Sequence, residues 1–157
     1  MPTNKTLRSY FHDLMNKIQG IAVNSSSFAY LYGHYPNNID ASTKDKLSKV
    51  LKDIELYYEK TFENLSLTSR AIDQSVASKE WVSVQKAIGK ELNDIYELLD
   101  SVKDLSAKIR EANFKDDILN ITKEMGLFQE KCESVARIID NFKERLISLG
   151  IYDSVHS

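Results

Sequence analysis

His12 is the side chain of this sequence best placed to do chemistry. Arg8 and Asn16 stand one helical turn before and after it, Lys5 and Gln19 extend the same row, and Asp13 is adjacent. At about 100° per residue, Leu7, Phe11, Leu14, Ile18 and Ile21 form one apolar stripe. His12 then lies roughly 140° from the stripe centre and is expected to face solvent or a partner. Neutral imidazole is nucleophilic near pH 7, and a neighbouring carboxylate can accept or orient its proton. Arg or Lys charge beside it could hold phosphoryl oxygens. The constellation therefore suits reversible phosphate attachment, against the simpler reading of a surface histidine with no role.

Other chemistry finds less support. No Glu-x-x-His pair occurs, and the histidines, His12, His34 and His156, are dispersed, so a di-iron, haem or hemerythrin-like bundle is not expected. One cysteine supplies no zinc spacing. Cys132 and Trp81 fall on apolar seams and read as core. Asp116 and Asp117 sit at a helix start, where they favour the dipole.

The elements that must position His12 follow from the apolar period. A first helix fits Leu7, Phe11, Leu14, Ile18, Ile21 and Phe28. A second fits Leu47, Leu51, Ile54, Tyr58, Phe62 and Leu65, entered through Asp40, Ser42 or Thr43. A third fits Trp81, Val84, Ile88, Leu92, Ile95, Leu99, Val102, Leu105 and Ile109, with Ser78 as cap. The fourth runs from Phe114 and Ile118 through Ile121, Met125, Phe128, Cys132, Val135, Ile139, Phe142 and Leu146 to Leu149, with Asn113 as N-cap and Gly150 as left-handed C-cap. Helices over 4–32, 41–72, 78–112 and 114–149 with short connections predict an all-α fold. The expected architecture is an antiparallel up-down-up-down four-helix bundle, one domain over residues 1–157.

Composition agrees. The chain has 157 residues, two prolines and five isolated glycines, so long helices meet little interruption and no glycine loop cradles phosphate. With 21 Lys plus Arg against 23 Asp plus Glu, no dense basic face invites nucleic acid. The uncharged stretch Ile18–Ile39 is broken by Asn, Ser, His and Pro, so it reads as a buried or interface-facing helix end and no membrane span is expected. The single cysteine and absent signal peptide fit a cytoplasmic protein.

The segment Phe11-His12-Asp13-Leu14-Met15-Asn16-Lys17-Ile18 resembles the H-box of two-component histidine kinases and of histidine phosphotransferases built on the same hairpin. In that family the phosphoaccepting histidine is followed by an acid, Asn or Thr comes three residues later, and aliphatic residues lie two and six past the histidine. His12, Asp13, Asn16, Leu14 and Ile18 agree. The family's usual proline is replaced by Lys17. The resemblance implies that His12 accepts phosphate, that Asp13 is its base or orienting acid, and that Asn16 positions water or the receiver aspartate. Arg8, Lys17 and Gln19 become candidates for phosphate or partner binding.

The nucleotide-binding boxes of the kinases are absent and no chain remains to build them, so autophosphorylation from ATP is not expected. The resemblance implies a phosphotransfer protein, or a phosphatase-like regulator, working on a response-regulator receiver domain and served by a histidine kinase. No cofactor is expected on this chain, Mg²⁺ coming from the receiver. A homodimer, as in the common kinase hairpin, stays open. A non-enzymatic adaptor, scaffold or sensor bundle remains the alternative, motivated by Phe28, Tyr30, Leu31, Tyr32 and Tyr35 in the uncharged stretch.

Overall fold

The computed structural model describes residues 5–34, 41–112, 115–153 and 155–156, without the side chains of 5, 33–34, 108–112, 115–118 and 155–156. Four long helices fill it: α1 (Leu7–His34), α2 (Ala41–Asp73), α3 (Ser78–Ala112) and α4 (Lys115–Ser148). At 1.5 Å per residue they are about 42 to 53 Å long. They form the expected antiparallel four-helix bundle. α1 lies between α2 and α4, α3 lies against α4, and the α2–α3 edge is the thinnest. Among the described residues no helix is long and apolar enough to cross a membrane.

The apolar stripes become the core. Leu7, Phe11, Leu14, Ile18, Ile21 and Phe28 of α1 are all buried, as are Trp81, Ile88, Leu92, Ile95, Leu99 and Val102 of α3. On α4 the run from Ile121 to Leu146 is buried at every predicted position. Phe114, Ile118 and Ile109, the cap expected at Asn113 and the α2 entry at Asp40 lie outside the described side chains, whereas Ser42 and Thr43, the other entries expected for α2, fall inside the helix, which already begins at Ala41. The uncharged stretch of α1 buries Phe28 and Tyr32 and leaves Val23 and Tyr30 exposed.

α2 departs from its predicted seam. Phe62 is 43% exposed and Tyr58 and Leu65 are half-buried, while Thr61 and Thr68 are fully buried. The hydroxyls make this affordable by donating to their own helix, Thr61 Oγ1 to the Tyr57 carbonyl and Thr68 Oγ1 to the Asn64 carbonyl, both at 2.7 Å. A buried hydroxyl with a partner escapes the desolvation cost that a hydropathy pattern assigns it.

The ends also differ in part. Ser78 is the first residue of α3 rather than its cap. The Trp81 amide donates to the Ala77 carbonyl, which places the cap at Ala77. Ser75 shapes that turn, its hydroxyl donating to the Ile72 carbonyl and accepting from the Ala77 amide. At the end of α4, Gly150 adopts φ 73°, its amide donates to Ile147 and the Ile151 amide to Leu146, a Schellman closure at the predicted glycine. The first helix starts at Leu7 and not at residue 4. Lys5–Thr6 instead forms a two-residue strand, β1, antiparallel to Val155–His156, β2. Thr6 caps α1, its hydroxyl accepting the Ser9 amide at 3.2 Å.

Candidate functional site

Phe11 anchors the turn that carries His12. Its ring meets Trp81 edge-on at 5.9 Å, Phe142 at 6.1 Å and Tyr152 at 6.2 Å, and Trp81 lies 5.2 Å from Phe142. The cluster thus joins α1, α3, α4 and the segment after α4. It reaches α2 through Ser69, whose hydroxyl accepts from Trp81 Nε1 at 2.9 Å and from Gln85 Nε2 at 2.8 Å. With Phe11 buried, the next residue is turned by about 100° away from the core. His12 is accordingly exposed, as are Arg8, Asn16 and Gln19.

These four residues line one wall of a cleft of about 600 Å³ between α1 and α4. The opposite wall holds Asp140 and Lys143 of α4, Ile139 contributes to the floor, and Tyr152 closes one end. A second depression of about 420 Å³ continues the cleft along the same helix pair, sharing Met15 and Gln19 and reaching Cys132 and Gln129. Within the lining of this second depression, a hydrogen bond from Gln129 Nε2 to Ser26 Oγ ties the two helices together.

The charges of the cleft are arranged around its closed end. Arg8 Nε donates to Asp153 Oδ1 at 2.5 Å and Nη2 to Oδ2 at 3.2 Å, a bidentate pair. The hydrogen bonds to Arg8 hold the Asp153 carboxyl below its ordinary value, and the same contact raises Arg8. The Arg8 guanidinium also lies 4.7 Å from the centre of the Tyr152 ring, with the Lys143 ammonium 5.7 Å from it. Among the described residues Lys143 makes no ion pair. Tyr152 is itself 4% exposed, and its carbonyl accepts the Arg8 amide at 3.0 Å.

The structure gathers Arg8, His12, Asn16 and Gln19 into one site, but not every predicted residue. Asp13 and Lys17, one position beyond His12 and Asn16 on the helix, are half-buried and do not line the cleft. Cys132 borders its continuation yet is buried, and burial pushes its thiol up to about 12. Asp140, Lys143, Tyr152 and Asp153 carry no signal in the sequence, since Arg8 and Asp153 stand 145 residues apart and meet through tertiary structure alone. Among the described residues no group of three or more His, Cys, Asp or Glu is placed to hold a metal ion. The chain matches no protein-family model, and comparison with curated proteins and with solved structures likewise finds no match.

Proposed function

We propose that this chain is a phosphotransfer protein of two-component signalling, exchanging a phosphoryl group between His12 and a receiver-domain aspartate. What supports the reading is the place of His12: an exposed imidazole on a rigid helix, opening on a cleft with Arg8, Asn16 and Lys143. An imidazole nitrogen attacks phosphorus in line with the departing carboxylate oxygen. The N–P bond forms as the P–O bond breaks, and the electron pair leaves with the receiver aspartate. Asp13 accepts or orients the proton of the other ring nitrogen, Asn16 orients the receiver group, and the receiver brings Mg²⁺.

The test is incubation with phosphorylated receiver domains across a panel, followed by assay for acid-labile label. Label on His12, or faster receiver dephosphorylation, is expected, and neither in any pairing sinks the proposal. His12→Ala is expected to abolish labelling while changing stability by less than about 0.5 kcal/mol, the usual range for an exposed site.

A further inference from the structure

The sequence points to Arg8 as a phosphate-binding cation, yet in the folded chain a carboxylate already occupies it. We propose that the closed end of the α1–α4 cleft, bounded by Arg8, His12 and Lys143, is an oxyanion site that Asp153 keeps shut until an incoming anion displaces it. The inference deepens the phosphotransfer reading of the same cleft and rests on it.

The geometry supplies each part. Arg8 and Lys143 flank the Tyr152 ring from two different elements, so two cations stand at one end of a cleft that also holds an imidazole. A guanidinium binds a phosphoryl group through the same two-pronged hydrogen bonding it now gives Asp153. The internal pair is easily exchanged, since its side chains are 57% and 68% exposed and water screens it. Asp153 cannot drift away. The buried Tyr152 precedes it and the β1–β2 pair follows it, so it returns to Arg8 as a tethered competitor whenever the anion leaves.

The experiment titrates the full chain with inorganic phosphate and, separately, with acetate, following the Arg8 Nε–H and His12 ring signals by NMR. Phosphate is expected to move both signals. Asp153→Asn is expected to tighten phosphate by about fivefold, the equivalent of about 1 kcal/mol for an exposed ion pair. Asp153→Glu, which keeps the charge, should retain the wild-type affinity, and Lys143→Met should weaken it. Acetate binding as tightly as phosphate marks a site for a carboxylate partner, and preference for phosphate marks a phosphoryl site; both keep the oxyanion assignment. Phosphate that moves neither signal in either protein overturns it, as does equal affinity in the wild type and Asp153→Asn. Equal tightening in the Asn and Glu variants traces to a loosened tail and overturns it too. If phosphate binds as described but His12 takes no label from any receiver, phosphotransfer fails while the oxyanion site stands.

Discussion

At the scale of single residues, the cleft contrasts two groups with nucleophilic chemistry. His12 is open to solvent and Cys132 is enclosed, although they border adjoining depressions between α1 and α4. Burial disfavours the thiolate, raising the Cys132 thiol from 9.0 to about 12. The thiol is therefore protonated at neutral pH, and a disulfide reagent such as Ellman's should leave it untouched until the protein is unfolded. Because the folded value is the higher one, the stabilising effect is complete below pH 9 and is lost as the pH climbs toward about 12. Comparing alkaline denaturation of the wild type and Cys132→Ala isolates that slope from the lysines and tyrosines. Rapid labelling of the native thiol at pH 7 would contradict the burial. Spacing on one helix was sufficient to orient His12, because a helix turns by a fixed angle and the core claims one stripe. It was not sufficient for Asp140, Lys143 or Asp153, which reach the site from other elements.

At the scale of elements, close approach between helices is read best at glycines. A Cβ at Gly20 would lie 2.5 Å from Cδ1 and 2.7 Å from Cγ of the Tyr57 ring, so α1 and α2 touch there with no room for a methyl group. Gly89 and Gly126 are exposed inside α3 and α4, with no neighbouring atom within 4 Å of such a Cβ. Replacing glycine by alanine inside a helix gains up to about 1 kcal/mol of propensity. Overpacking costs about 1 to 3 kcal/mol. Gly89→Ala and Gly126→Ala should therefore raise the urea midpoint, and Gly20→Ala should lower it despite the same gain in propensity. A midpoint for Gly20→Ala at or above the wild type would show that the α1–α2 contact yields freely. The helices themselves were legible from the apolar period. The buried Thr61 and Thr68 were not, since hydropathy registers a hydroxyl as polar whether or not the preceding turn accepts its hydrogen bond.

At the scale of the whole molecule, one end of the bundle carries both a cluster of four aromatic rings and the candidate site. Phe11, Trp81, Phe142 and Tyr152 draw α1, α3, α4 and the tail together beneath the turn that presents His12. Phe11→Ala leaves a cavity at that junction and should cost about 3 to 5 kcal/mol. It should also loosen the tail, seen as a loss of the upfield shift of the Tyr152 ring protons. A loss under about 1 kcal/mol would mean that the cluster does not hold this end together. By itself the amino-acid sequence determined four amphipathic helices, the end of the last one at Gly150, and an outward-facing imidazole beside a guanidinium and two amides. Those properties are local, arising from a regular helical turn and from apolar spacing. Only the tertiary structure decided that Lys143 would face His12 across a cleft, that Tyr152 would close it and that Asp153 would occupy Arg8. Such pairings depend on which helix lies beside which and on where a tail folds back, and no residue's immediate neighbours encode them.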